Sequence, residues 1–168
     1  LPYIPTLLAW RELPALRAAL AAMEALLAES AEAAADEICF VDGAGSLHPL
    51  RLGIATHLAL VTSRRTIGIT KSALGGRAVP ADRASRARII WPSAESDGDE
   101  KRSERDMEPV VALQVISPRY QPLFVSGGQG VPLGTAARWT EALAFGRHLP
   151  APIHWADQIS RKTARNVP

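Results

Sequence analysis

Glu12, Asp42, His48 and Lys71 are the side chains whose types and spacing suggest chemistry. Two carboxylates brought to one spot suit a hard divalent cation, because Mg²⁺ prefers oxygen ligands and retains several of its waters. A lysine beside such a cation stabilises charge developing on a phosphate oxygen or positions an attacking water. His48, six residues after Asp42, is spaced to hydrogen-bond a phosphate or a leaving group. Singly, each has an ordinary reading: a solvated Glu at a helix end, an Asp-Gly turn after a strand, a surface lysine. Only elements that bring them together make a site.

Those elements can be read from periodicity. From Leu7 onward apolar residues recur at helical spacing, and Pro14 divides the run, which predicts two helices, Thr6 to Glu12 and Pro14 to Ala28. Ile38 to Val41 is a short apolar strand ending at Asp42-Gly43, Arg51 to Thr62 has helical periodicity, and Thr66 to Ile69 is a second strand ending at Thr70-Lys71-Ser72. Strand, helix and strand in so short a span predict a parallel, right-handed βαβ unit. Its two strand ends make Asp42 and Lys71 neighbours at the carboxyl edge of the sheet, where open α/β domains place ligands. Arg77 to Glu108 is a polar insertion, expected to be exposed and disordered at Ser93 to Asp106. Val110 to Ile116 and Pro122 to Ser126 predict a hairpin turning at Ser117-Pro118-Arg119-Tyr120. Pro132 to Arg147 predicts a last helix, followed by a Pro-rich tail.

Composition narrows the class. The chain has 168 residues, 47% hydrophobic and 21% charged, as expected of a single globular domain. No apolar run approaches the ~20 residues of a membrane span, and no secretory leader opens the chain. The one cysteine, Cys39, cannot pair internally and is expected in the core, which points to a reducing compartment such as the cytoplasm. A net charge of +2 permits a polyanionic partner without demanding one. Two phosphate-binding signatures fail: Gly43-Ala44-Gly45-Ser46-Leu47-His48 has His48 where a dinucleotide fingerprint needs glycine, and Thr70 precedes Lys71 where a P-loop needs glycine. Ser46 lacks the flanks of a nucleophile elbow.

Several motifs in order are more specific than any one. Pro2-Tyr3-Ile4-Pro5 with Leu7-Leu8-Ala9-Trp10-Arg11-Glu12, then Val41-Asp42-Gly43 with His48-Pro49, Arg51 to Leu58, and Thr66 to Ser72 resemble the endonuclease V family. Pro122 to Ser126, Arg147-His148-Leu149-Pro150 and Trp155-Ala156-Asp157 continue the resemblance. It implies an α/β fold, an RNase H-like mixed sheet flanked by helices, and hydrolysis of a phosphodiester on the 3′ side of deoxyinosine in DNA, with inosine in RNA as a related substrate. It implies Mg²⁺, or Mn²⁺ in its place, held by Asp42 and Glu12, with Lys71 and His48 completing the catalytic set. Tyr3 falls on a wedge position and Pro5 on the same loop; Gly43 and Gly45 would let the backbone approach an extruded base, with Leu8 and Leu74 as apolar walls. A monomer is expected, without membrane association.

Departures from the family pattern keep other readings open. Members carry a further aspartate on an early strand, and the resemblance places Leu1 beyond it, so the expectation is a sheet without its first strands. Thr6, Ala44 and Gln129 stand where the family has glycine, histidine and histidine. A module that binds deaminated nucleic acid without cutting it, an inactive truncated homologue and an inosine-specific ribonuclease are the alternatives.

Overall fold

The computed structural model describes residues 8–29, 37–79, 88–90, 110–117 and 119–165, with backbone alone at 8, 29, 79 and 88–90. Tyr3, Pro5, the Leu8 side chain and the segment Ser93 to Asp106 lie outside the described residues.

The βαβ unit forms as expected. β1 (Ile38–Asp42) pairs in parallel with β2 (Arg65–Thr70), with Asp42 opposite Ile69, and α2 (Ile54–Thr62) connects them. β2 then pairs antiparallel with β6 (Tyr120–Gln129), and β6 with β5 (Val110–Ser117), which is the expected hairpin. Two short strands of the polar insertion, β3 (Arg77–Val79) and β4 (Arg88–Ile90), extend this sheet instead of standing apart from it. The mixed sheet has six strands in the order β1-β2-β6-β5-β4-β3.

Alternation along β2 decides which helices cover which face. Ile67 and Ile69 pack with Val115, Leu123 and Val125 against Ala136 and Ala137 of α3 (Leu133–Ala142) and Ile153 of α4 (Ala151–Arg165). On the other face the Thr66 hydroxyl donates to the Ala55 carbonyl of α2 at 2.8 Å. Here Val41, Ile54, Ala55 and Leu58 pack against Ala9, Leu13, Leu16 and Leu20 of α1 (Leu8–Glu29). Arg64 ties this layer to the sheet, donating to Glu24 of α1 and to Glu37 just before β1.

Two expectations need correction. α1 is one helix of 22 residues, with the exposed Pro14 inside it. Proline forfeits one helical hydrogen bond, but the apolar stripe Ala9, Leu13, Leu16 and Leu20 runs through it and docks both halves on α2. The expected Pro-rich tail after Arg147 instead contains the 15-residue helix α4. Pro152 falls in its first turn, where a missing N–H would have no intrahelical partner anyway.

Candidate active site

β1 and β2 end side by side, and their ends carry Asp42 and Lys71 as the parallel pairing requires. Lys71 Nζ lies 3.5 Å from Asp42 Oδ2, with the two side chains 54% and 55% exposed. So exposed a pair adds ~1 kcal/mol or less to stability, leaving both charges accessible to a ligand. Glu12 is brought in by α1, one turn after Ala9 anchors that helix on α2. Glu12 and Asp42 line one cavity of about 480 Å³ between α1, β1 and α4.

The same cavity holds a carboxylate that the residue reading did not assign. Asp157 of α4 lines it together with Ile153, Ala156 and Ser160. These four positions recur at helical spacing, a signal that the Pro-rich character of the segment after Arg147 hides. Arg161 donates to Asp157 Oδ1 at 2.9 Å, one turn further along the helix. The apolar wall of the cavity includes Leu16, Leu20, Phe40 and the half-buried Cys39, whose thiol is pushed up by burial, opposed by the Arg64 charge.

His48 is placed differently. It is only 5% exposed, lies in the loop between β1 and α2, and accepts the Leu50 N–H at Nδ1 over 3.2 Å. That bond makes Nε2 the protonated nitrogen of the neutral ring. The Arg51 N–H donates to the His48 carbonyl at 2.8 Å, and Arg51 itself has a left-handed backbone, φ 57. Neither His48 nor Lys71 is among the described residues that line the carboxylate cavity; Lys71 is coupled to it through Asp42, His48 through the loop backbone.

That loop is packed backbone on backbone. A Cβ at Gly45 would stand 2.1 Å from the Gly127 carbonyl oxygen, and one at Gly43 would stand 2.3 Å from Ile54 Cγ2. The two glycine amides already have acceptors: Gly43 N–H donates to the Ile69 carbonyl at 2.9 Å and Gly45 N–H to Ser126 Oγ at 2.8 Å. Close packing on α2 and β6 is therefore the local reason for glycine here, and not amides left open toward a ligand. Leu74 lies beyond Lys71, 49% exposed and outside the carboxylate cavity.

Two carboxylates facing one cavity, both accessible to water, match how proteins hold Mg²⁺, which takes one or two carboxylates and keeps water or phosphate oxygens for the rest. The donor set therefore fits a hydrated divalent ion. Among the described residues no group of three His, Cys, Asp or Glu side chains is drawn together for a metal. Asp157 accordingly belongs to the cavity wall in this arrangement.

Comparison with known proteins decides the family, since the model of endonuclease V matches residues 1–158. The chain belongs to the endonuclease V family. The solved catalytic domain of human endonuclease V is 26% identical, with 98% of this chain and 65% of that one aligned at a TM-score of 0.74. Endonuclease V from Streptomyces avermitilis is 30% identical over 98% of this chain and 63% of that one, TM-score 0.71. Endonuclease V from Ciona intestinalis, solved with a 24mer DNA containing an inosine followed by a ribo-adenosine, is 27% identical over 100% of this chain and 70% of that one, TM-score 0.75. The chain thus spans about two thirds of the length of these endonuclease V structures. The expected mixed sheet flanked by helices is the fold they share with it. No helix among the described residues is long and apolar enough to cross a membrane.

Proposed function

We propose that the chain is a Mg²⁺-dependent endonuclease that hydrolyses a phosphodiester on the 3′ side of inosine in DNA. The observation that carries this reading is the meeting of Glu12 and Asp42, from different elements, in one cavity, with the Lys71 ammonium against Asp42. Family membership and the inosine-containing DNA held by the Ciona relative support the substrate. Asp42 and Glu12 would hold Mg²⁺, or Mn²⁺, and the ion would supply charge stabilisation at the reacting phosphate. Lys71 adds a second positive charge at the carboxyl edge of β2, where it meets negative charge building on the phosphate oxygens. His48 fixes the loop that follows Asp42, accepting the Leu50 N–H at Nδ1.

We assign base recognition to Tyr3 and Pro5, with Leu8 and Leu74 as apolar walls for the extruded base. Tyr3 would fill the gap left in the stack, offsetting part of the few kcal/mol that unstacking costs. We place the protein in a reducing compartment, the cytoplasm, on the strength of its single cysteine, and, following the family resemblance, as a monomer.

The test is a labelled strand with one inosine, incubated with the protein and Mg²⁺ beside the same strand carrying adenosine. A single nick on the 3′ side of inosine, abolished by EDTA, is the expected result. Equal cutting of both strands refutes the specificity. Tight binding without any nick replaces this reading with that of a binding module.

A further inference from the structure

The face of α4 away from the carboxylates carries a second feature. Trp155, two residues before Asp157, is 52% exposed. The Arg147 guanidinium lies 5.8 Å from the centre of its ring, and the His154 ring meets it edge-on at 5.6 Å. Next to Arg147 in the chain, His148 stacks on Tyr120 with centroids 5.3 Å apart and planes 23° from parallel. His148 is pinned there, its Nε2 2.9 Å from the Gln121 carbonyl oxygen. Arg147 and His148 line one cavity with Gln121, so the Tyr120 ring and the Trp155 ring are joined through neighbouring residues of the α3–α4 connection.

Charge singles out a partner. Residues 110–165 contain six Arg and Lys against two Asp and Glu, while the whole chain has a net charge of only +2. Lys162 and Arg165 close the last turn of α4. Exposed rings interleaved with cations on a basic segment match the chemistry that binds single-stranded nucleic acid, in which bases stack on rings and phosphates meet the cations. A second copy of this chain would bring like charge onto like charge.

We propose that Tyr120, Arg147, His148 and Trp155 form a docking platform for single-stranded nucleic acid. The platform holds the strand beyond the reacting bond and does not read the inosine. The proposal rests on the nuclease reading for its direction: Trp155 and Asp157 share α4, so the Trp155 end of the platform and the carboxylate cavity lie on two sides of one helix, ~10–12 Å across. A strand crossing α4 engages both.

Binding of a fluorescent 20-nucleotide strand without metal tests it, since no cutting is needed. Trp155→Ala is expected to weaken binding about 5-fold or more, equally for inosine-containing and plain strands, while Trp155→Phe retains most of it. Shortening the inosine strand on one side of the lesion only should abolish the difference between Trp155→Ala and wild type. Unchanged affinity in Trp155→Ala and Tyr120→Ala, both with wild-type circular dichroism, overturns the platform. A wild-type dimer that Trp155→Ala converts to monomer overturns it in favour of a self-association face. Absence of nicking with the Trp155 effect intact would refute the nuclease reading and leave the platform standing.

Discussion

Alanine at Gly45 is expected to damage the fold more than any exposed substitution near the carboxylates. The new Cβ would lie 2.1 Å from the Gly127 carbonyl oxygen and 2.6 Å from its carbon, so backbone and not a flexible side chain has to move. Overpacking costs about 1–3 kcal/mol where side chains can adjust. Moving this loop also strains three bonds: Gly45 N–H to Ser126 Oγ at 2.8 Å, Ser46 N–H to the Gly127 carbonyl at 2.8 Å, and Gly53 N–H to the Gly45 carbonyl at 3.0 Å. Each such bond contributes about 0.5–1.5 kcal/mol net, so a loss of ~3 kcal/mol is a fair total even if only one breaks. For a domain of this size that lowers Tm by about 6–12 °C. Gly134→Ala is the control, because nothing lies within 4 Å of its Cβ and it sits in α3. There alanine should stabilise by about 0.5–1 kcal/mol. Paired urea melts measure both. Gly45→Ala within 1 kcal/mol of wild type would refute the backbone-contact reasoning, and so would equal shifts of the two variants.

Further outcomes follow from the same packing. Arg64→Ala leaves Glu24 and the half-buried Glu37 without their shared cation, and should cost about 1–2 kcal/mol in a urea melt, an effect reduced in high salt. Burial raises the Cys39 pKa above its ordinary value, so the folded state holds its proton longer than the unfolded chain does. Stability from this group is full below pH ~8.5 and declines as pH rises through the folded value, a slope that Cys39→Ala should remove. Alkylation of Cys39 at pH 8 should accordingly be slower in the native protein than in urea.

The β1–α2–β2 unit was legible because a buried parallel strand reads as an unbroken apolar run and its crossover helix keeps a 3.6-residue period. Parallel strands ending side by side make Asp42 and Lys71 neighbours, and the 3.5 Å pair follows from that. Proline misled twice. Pro14 on its own predicts a break, yet packing of Leu13, Leu16 and Leu20 on α2 outweighs one lost hydrogen bond. Pro150 and Pro152 suggest a tail, although proline suits a first helical turn, and the tail reading hides Asp157 together with α4. The surroundings of His48 could not be inferred, because its burial depends on a loop seated by glycine contacts with β6, eighty residues away. Long-range register of that kind has no local signal.

The carboxylate cavity is tested most directly by single-turnover cutting of an inosine-containing strand in Mg²⁺ by wild type and Asp42→Asn. Asparagine preserves shape and removes the charge that would hold the ion. The expected result is one nick on the 3′ side of inosine by wild type and a rate at least about 100-fold lower in the variant, with strand binding retained. Cutting at the wild-type rate by Asp42→Asn would contradict the assignment of this cavity as the reacting centre.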